Sequence, residues 1–264
     1  MSILNNEIRV ANFTSSQIHR LIGFGKRAMT ADELAGRPKS GTGSAVKTIE
    51  DPNTLSQEAH NYIAEKRMEQ RIGRSISIEK QTRATLWGHY MEQRVHDKLP
   101  TSYRLIGKKS EAHPTILHWV GSPDNDCKAE SVVGDIKCYE PKNFCEYVDC
   151  LSKNDIALFR SEFPQQYWQL ISNACILGMD FIEAIIYIPY FSELPEIRQS
   201  VLDLDSEDDK KKYGFIAYAS YNELPYIADG CAYKNLNIFR FKAPIEDKEF
   251  LKQRVILAGA LLTK

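Results

Sequence analysis

Apolar positions recur every three or four residues in several stretches of the chain, which predicts amphipathic helices. In residues 56–71 the stripe contains Ala59, Tyr62 and Ile63, and in residues 77–99 it contains Trp87 and Met91. Hydroxyl residues at 14–16 predict an N-cap for a shorter helix. The predicted helices cover residues 17–22, 56–71, 77–99, 155–177 and 246–262.

Shorter runs rich in β-branched and aromatic residues predict strands. The clearest are residues 132–137 (VVGDIK) and 181–187 (FIEAIIY). The charged stretch 203–212 is predicted to be an exposed loop or helix end. The remaining predicted strands are 7–13, 103–107, 115–120, 213–218 and 237–241. Helices and strands therefore mix along the chain, as is typical of an α/β protein.

Acidic and basic side chains interrupt the apolar strand at 132–137. Side chains alternate across a strand, so Asp135 and Lys137 are expected to point to one face. Asp124 belongs to the preceding turn and would face them. Two carboxylates can hold a hard divalent cation, and a lysine beside them can neutralise an oxyanion or orient a water. The cluster suits phosphodiester cleavage; the alternative is a turn-capping aspartate with a surface Asp/Lys pair.

Overall composition says little about a partner until the two halves of the chain are separated. The net charge is −1, and 43% of the 264 residues are hydrophobic. Residues 1–120 carry 18 Lys+Arg and 12 Asp+Glu, whereas residues 121–264 carry 16 and 23. A basic first half could contact phosphates while an acidic second half holds a metal. An ordinary surface with uneven charge is the alternative.

Targeting and cysteine signals point to a cytoplasmic protein. No apolar run reaches the length of a membrane span, and the first residues lack the pattern of a signal peptide. The six cysteines contain no CxxC pair, which argues against a zinc ribbon and predicts free thiols.

Three other kinds of functional site do not fit the sequence. Residues 41–48 imitate a phosphate loop, but Val46 replaces the glycine that must precede the lysine. Residues 124–135 have the length of a calcium loop, but Ala129 occupies its glycine position. No nucleophile elbow accompanies the scattered histidines, so a Ser/His/Asp hydrolase is not indicated.

Several short motifs together resemble the PD-(D/E)XK nucleases, and in particular their lambda exonuclease-like (YqaJ viral recombinase) branch. The matches are Pro123-Asp124, Asp135-Ile136-Lys137, the Gly-x-x-x-Glu stretch from Gly88 to Glu92, the glutamine helix from Pro164 to Gln169, and Arg9 ahead of Ser16. They follow the family's order over roughly residues 9–190, and the last seventy residues match nothing. The glutamine motif departs from the family's Gln-x-Gln, because Ile171 fills the second position; Gln165 or Gln166 could substitute.

The resemblance implies a mixed central sheet flanked by helices, in one nuclease domain over residues 1–264. A helical DNA-binding part would cover about residues 1–100 and a catalytic core about 101–264. It also implies Mg²⁺, with Mn²⁺ as a substitute, and assigns roles to particular residues. The implied metal ligands are Glu92, Asp124, Asp135 and the Ile136 carbonyl; the implied catalytic residues are Glu92, Asp124, Asp135, Lys137 and Gln169; the implied phosphate-binding residues are Arg9, Ser16, Lys26 and Arg27.

The activity implied by the resemblance is 5′–3′ digestion of double-stranded DNA ends in phage-type recombination, in the cytoplasm of a bacterial or phage-infected host cell. The implied partners are a single-strand annealing protein and two further copies of the chain in a ring; no membrane is implied. An endonuclease of the same fold, such as a resolvase or restriction-like enzyme, remains an alternative, as does a catalytically silent DNA-binding protein. An iron–sulfur nuclease of related fold would need a cysteine before Cys127.

Overall fold

The computed structural model of the protein describes residues 8–35, 48–77, 81–106 and 109–263. Its α-helices are α1 (Ala31–Ala35), α2 (Gln57–Ile72), α3 (Arg83–His96), α4 (Pro141–Leu151), α5 (Ile156–Glu162), α6 (Pro164–Leu177), α7 (Leu194–Leu202), α8 (Glu207–Tyr218) and α9 (Ile245–Leu262). Its strands are β1 (Phe13–Thr14), β2 (Phe24–Ala28), β3 (Thr48–Leu55), β4 (Arg104–Leu105), β5 (Glu111–Ala112), β6 (Trp119–Gly121), β7 (Asn125–Cys127), β8 (Val132–Lys137), β9 (Phe181–Tyr187) and β10 (Leu236–Lys242). Short 3-10 helices span Ser15–Leu21, Lys128–Glu130, Phe191–Glu193 and Tyr221–Glu223.

Five strands form the central sheet, in the order β10-β9-β8-β7-β4. β8 and β9 are parallel, with Asp135 opposite Ala184, and the other neighbouring pairs are antiparallel. A parallel pair needs a crossover connection, which α4, α5 and α6 supply between β8 and β9. The predicted α/β class with a mixed central sheet is therefore confirmed.

Both faces of this sheet are covered, because β8 and β9 are apolar on both sides. Val133 and Ile182 belong to the larger core, which includes residues of α6 and α9. Val132 and Ile185 belong to the second core, which includes residues of α3, α7 and α8. The alternation of side chains thus places Asp135 and Lys137 on the face that also carries Val133, toward α6.

Two smaller sheets extend the N-terminal part of the structure. β1 runs parallel to β6, β5 pairs with β6, and β2 pairs with β3 in an antiparallel ribbon. The buried guanidinium of Arg254 in α9 donates to backbone carbonyl oxygens just before β2, those of Leu21 and Gly23, and within β3, those of Pro52 and Thr54. The part before about residue 100, expected to be helical, therefore also contains this ribbon.

The strongest sequence patterns are confirmed. β8, β9 and β10 occupy the stretches predicted as strands, and α2 and α9 those predicted as helices. α3 begins at residue 83 rather than 77 because the Thr82 side chain caps it, accepting from the Thr85 N–H at 3.2 Å. The helix predicted at 17–22 is a 3-10 helix over Ser15–Leu21, with Ile22 as its C-cap.

Three predictions of elements are wrong. The expected helix over 155–177 is two helices, α5 and α6, because Pro164 lacks an N–H and forces Phe163 out of the helical conformation. The expected strand at 213–218 is the end of α8, whose buried Tyr213, Ile216 and Ala217 follow helical spacing. The expected strand at 115–120 reduces to β6, because the His113 ring accepts the N–H groups of residues 115 and 116 in a turn.

The N-terminal prediction also fails. Residues 8–9 form a helical turn, and only Phe13 of the predicted strand at 7–13 lies in β1. Ala11 has a positive φ of 59°, and the Asn12 side chain donates to the Ile8 and Val10 carbonyls, which replaces strand pairing. Residue 7 and most of the phosphate-loop imitation at 41–48 lie outside the described residues.

None of the helices in the described ranges combines the length and apolar character that a membrane crossing requires. The six cysteines are all free thiols, as the sequence predicts.

Candidate active site

The two predicted acids meet where β7 and β8 pair. Asn125 lies opposite Gly134, so Asp124, one residue before β7, lies beside Asp135. The Asp124 Oδ2 atom accepts a hydrogen bond from the Ile136 N–H at 2.6 Å. This bond ties the turn that carries Asp124 to the strand that carries the second acid.

Asp135 is held from two sides. Its Oδ1 accepts from Gln169 Nε2 of α6 at 2.6 Å, and its Oδ2 lies 2.6 Å from Lys137 Nζ. The lysine contact shows that Asp135 and Lys137 share one face of β8, as the strand alternation predicts. The glutamine contact shows that the helix covering this face supplies a third polar group to the same point.

Burial and like charge oppose ionisation of Asp124. Burial and the negative charges of Asp135 and Glu92 raise the pKa of Asp124 well above 3.8, although Lys137 acts in the opposite direction. Burial alone would lower the pKa of Lys137, but the carboxylates of Asp135 and Asp124 raise it above its usual range. Lys137 is therefore an ammonium at neutral pH, and the acids form a site that gains from a cation.

A cavity of about 200 Å³ lies over these groups. Glu92 of α3 and Arg9 and Ser16 of the N-terminal part reach its wall, although they are far from Asp124 in sequence. The predicted residues that line this cavity are Arg9, Ser16, Glu92, Asp124, Asp135, Ile136, Lys137 and Gln169. The structure thus gathers the proposed metal ligands, catalytic residues and two phosphate-binding residues into one place.

Lys26 and Arg27 are not brought into this cavity. Both lie on β2, where Lys26 is exposed. Arg27 pairs with Glu33 at 2.7 Å and approaches Asp51 at 3.8 Å. Its charge is already neutralised by neighbouring acids, so the predicted phosphate role of these two residues has no support from their position.

Arg9 was expected on an extended segment but lies in the helical turn, and Glu69 holds that segment in place. The Glu69 carboxylate is 2% exposed and accepts from the Ala11 N–H at 2.9 Å and from Lys66 Nζ at 2.9 Å. It also accepts from the Ser75 hydroxyl. Glu69 was not among the predicted site residues, because an acid three residues after a lysine on a helix has the spacing of an ordinary surface pair.

A buried network of hydroxyl groups joins three elements that carry site residues. Ser172 of α6 accepts from the Trp119 indole N–H at 2.8 Å and lies 2.8 Å from the Ser15 hydroxyl. It therefore connects the helix of Gln169, the strand before Asp124 and the 3-10 helix of Ser16. The only local signal was Gly121: a Cβ there would meet Ser15 and Asn173, and glycine inside a strand marks close approach.

The donor set of the cavity fits magnesium in one particular way. In the described part of the chain, no three His, Cys, Asp or Glu side chains form a group that could hold a metal ion. Mg²⁺, however, is commonly bound by one or two carboxylates and completes its shell with water and substrate phosphate. Asp124 and Asp135, with Ile136 in the lining of the same cavity, fit that mode. The charge of Asp135 raises the pKa of Asp124, and a bound cation would relieve this crowding.

The pairing that places Asp124 beside Asp135 depends on Gly134. A Cβ at this position would collide with the Asn125 side-chain oxygen and lie 3.0 Å from Ile185 Cδ1. We expect Gly134→Ala to lower the free energy of unfolding by about 1–3 kcal/mol, as overpacking does in well-packed cores. Urea denaturation measures the change.

The same crowding predicts a rescue. Both polar atoms of the Asn125 amide are buried without a hydrogen-bond partner, so Asn125→Ala removes the obstacle at little cost. The Gly134→Ala, Asn125→Ala double variant should recover most of the lost stability. Gly214→Ala is the control, because a Cβ at this helical position would make only ordinary contacts with the Tyr218 ring at 3.9 Å, and the change should stabilise by about 0.5–1 kcal/mol. A double variant no more stable than Gly134→Ala would contradict the steric explanation.

Two acids and a lysine therefore lie together on the mixed α/β sheet, Asp135 and Lys137 on β8 and Asp124 in the turn before β7, beneath a helix that supplies a glutamine. This is the arrangement that the sequence resemblance to PD-(D/E)XK nucleases predicts.

Comparison with solved structures identifies proteins that share this fold. An alkaline exonuclease from Laribacter hongkongensis matches with a TM-score of 0.59 at 13% identity, over 99% of this chain and 93% of that chain. The same enzyme in complex with dAMP matches with a TM-score of 0.56, with the same identity and coverage. A phage-related exonuclease from Haemophilus somnus matches with a TM-score of 0.53 at 14% identity, over 95% of this chain and 93% of that chain.

No family model matches the sequence, and no curated protein matches it. At 13–14% identity the structural matches establish a shared fold. The fold expected from the resemblance to lambda exonuclease-like nucleases is therefore confirmed.

Proposed function

We propose that the protein is a Mg²⁺-dependent exonuclease that digests double-stranded DNA from 5′ ends, in phage-type recombination. The observation that carries this proposal is the single cavity in which two acids, a charged lysine and an arginine meet. The solved structures that share the fold over nearly the whole chain are exonucleases, which favours end digestion over internal cutting. The 5′ polarity follows from the sequence resemblance alone.

Asp124, Asp135 and the Ile136 carbonyl would hold Mg²⁺, with Glu92 close enough to Asp124 to influence its charge. The bound ion would neutralise phosphate charge and lower the pKa of a water molecule. Gln169, which the resemblance implies is a catalytic residue, donates to Asp135 in the structure, so its role in the proposal is to orient that carboxylate.

Lys137 contributes a permanent positive charge at the same point. Its ammonium lies against Asp135 and its side chain keeps 24% exposure, so it can reach a phosphate oxygen in the cavity. A preorganised cation stabilises charge that develops on phosphate oxygens as the bond to the leaving oxygen breaks. An ammonium with a raised pKa cannot serve as the base, so it orients water and stabilises the transition state.

One assay separates the proposal from its rivals. End-labelled linear, nicked and covalently closed circular duplexes of one sequence are incubated with Mg²⁺, with Mn²⁺ and with EDTA. Metal-dependent loss of linear DNA with release of mononucleotides is expected, and closed circles should survive. Cutting of closed circles would indicate an endonuclease, and binding without loss would indicate a silent DNA-binding protein.

End choice is expected to depend on Arg9. Its guanidinium and the Ser16 residue line the same cavity as the acids, and a guanidinium offers a forked pair of donors to phosphate oxygens. A terminal 5′-phosphate carries more charge than an internal diester. We therefore expect faster digestion of 5′-phosphorylated duplex ends than of matched 5′-hydroxyl ends, and Arg9→Ala should remove the difference while metal-dependent cleavage continues.

Two further variants separate the contribution of the forked guanidinium of Arg9 from that of its positive charge. Arg9→Lys keeps the charge without the fork and should restore the preference only in part. Arg71→Ala, an exposed arginine on α2, should retain the full preference. An unchanged preference in Arg9→Ala would mean that Arg9 serves its own segment rather than the DNA end.

A further inference from the structure

The cavity of about 200 Å³ that holds the two acids, called the active cavity below, adjoins a larger cleft. The chemistry described so far does not use this cleft. Its volume is about 870 Å³, within the range of small-molecule sites. It shares Arg9, Glu92, Lys137 and Gln169 with the active cavity. A group attached to a phosphate in the active cavity would therefore enter this cleft.

The lining of the cleft suits a nucleobase better than a phosphate backbone. Among the described residues that line it, the lysines and arginines are Arg9 and Lys137, which also line the active cavity, and Glu140 adds an acid. A phosphate backbone needs cations along its path. The cleft presents amides instead, which both donate and accept and which match the polar edges of bases. The amide residues beyond the shared boundary are Gln17, Gln81, Asn143, Gln165 and Gln166.

Within this lining, Gln166 and Tyr139 form a hydrogen-bonded pair whose donor and acceptor are defined. Gln166 Nε2 donates to the Tyr139 hydroxyl oxygen at 3.1 Å. That bond leaves the Gln166 Oε1 atom to accept and the Tyr139 hydroxyl hydrogen to donate. The Tyr139 ring packs edge-on against Tyr147, with centroids 5.5 Å apart, which fixes its position. Burial raises the pKa of Tyr139, so the hydroxyl keeps its proton.

We propose that Gln166 and Tyr139 read the edge of the base on the terminal nucleotide and favour adenine and cytosine over thymine and guanine. Adenine and cytosine each present an exocyclic amine beside a ring nitrogen that accepts. The amine would donate to Gln166 Oε1, and the ring nitrogen would accept from the Tyr139 hydroxyl. Thymine and guanine present a carbonyl acceptor beside an N–H donor. The carbonyl would face the Gln166 Oε1 acceptor and the N–H would face the Tyr139 hydroxyl hydrogen, so both protein groups would be left unsatisfied.

This proposal rests on the proposed nuclease function, because the base reaches the cleft as part of a terminal nucleotide. Other enzymes that act on an unpaired nucleotide read its base through the Watson–Crick edge. Here the same edge becomes available when the terminal pair opens. The pair would set base preference without taking part in bond cleavage.

The test uses four duplexes that differ only in the terminal pair and carry 5′-A, 5′-T, 5′-C or 5′-G on the digested strand. Comparison of A·T with T·A, and of C·G with G·C, keeps the number of base-pair hydrogen bonds constant. Single-turnover release of the terminal nucleotide should be roughly tenfold faster for A than for T and for C than for G, the low end of a two-bond base contact. Equal rates, or faster release of T and G, would overturn the proposal.

Two variants identify the residues responsible. Tyr139→Phe keeps the ring packing and removes the donor, and Gln166→Met keeps the size and removes the acceptor. Each should reduce the tenfold differences to about twofold or less. Tyr218→Phe alters an exposed tyrosine outside the cleft and should keep the full differences. Base preference that survives both cleft variants would overturn the assignment.

A binding measurement separates this proposal from the nuclease proposal. If no duplex is cleaved, titration with the four deoxynucleoside 5′-monophosphates still tests the pair. Tighter binding of dAMP and dCMP than of dTMP and dGMP, lost in Tyr139→Phe, would support base reading without nuclease activity. Equal binding of all four, or none, would reject it.

Discussion

Asp124→Ala and Asp135→Asn are each expected to abolish metal-dependent DNA cleavage. Both carboxylates line the active cavity, and Asp135 also aligns Lys137 and Gln169 through contacts of 2.6 Å. A divalent ion at a phosphate is worth several kcal/mol of transition-state charge stabilisation. Loss of either ligand should therefore reduce the single-turnover rate by at least about 10³-fold. Rates on end-labelled linear duplex at saturating Mg²⁺ measure the effect.

The fold should survive these changes. Asp124 is crowded by the charges of Asp135 and Glu92, so Asp124→Asn should raise the melting temperature of the metal-free protein. Mg²⁺ should raise the melting temperature of the unaltered protein, because it binds the native state, and should do so much less in Asp124→Asn. This readout reports the metal site independently of DNA cleavage.

Asp208→Asn provides the matched control, since it removes an exposed acid on α8 outside the cavity. It should leave both the rate and the Mg²⁺-dependent stabilisation unchanged. Near-normal Mg²⁺-dependent cleavage by Asp124→Ala or Asp135→Asn would show that the assigned acids are not the metal site.

Lys137→Ala is expected to lower the single-turnover rate by on the order of 10²-fold or more, as loss of one preorganised group does at a site of developing charge. Lys137→Arg should rescue poorly, because the cavity is small and a planar fork does not replace a compact ammonium. Full rescue by arginine would indicate a phosphate-binding role instead.

The lysine also neutralises a nearly buried acid, so its loss could act through the fold. Asp135 is 3% exposed at its side chain, and removal of its partner leaves that charge uncompensated. Circular dichroism and melting curves for each variant identify such an effect. Lys142→Ala, whose side chain is 83% exposed on α4, is the control for loss of a lysine without change at the site.

The sequence by itself determined the elements whose patterns are long and regular. The apolar runs of β8 and β9 and the helical spacing of α2 and α9 are local properties, and local sterics and burial enforce them. The relation of Asp135 to Lys137 was equally accessible, because alternation along one strand leaves no other arrangement. Prediction failed where one residue redirected the backbone, as Pro164 does between α5 and α6, or where β-forming residues such as Tyr213 and Ile216 lie in a helix.

Only the tertiary structure decided how distant residues meet. Gln169 contacts Asp135 across 34 residues of chain, and Glu69 binds the Ala11 N–H across 58. The resemblance placed Arg9 and Lys26 in the same group, but the structure puts Arg9 at the cavity and Lys26 on an exposed strand. The Gln166–Tyr139 pair has no sequence signal at all. Such contacts depend on the crossover between β8 and β9 and on the packing of α6 against the sheet. The spacing of neighbouring residues encodes neither of these features, so it could not predict the contacts.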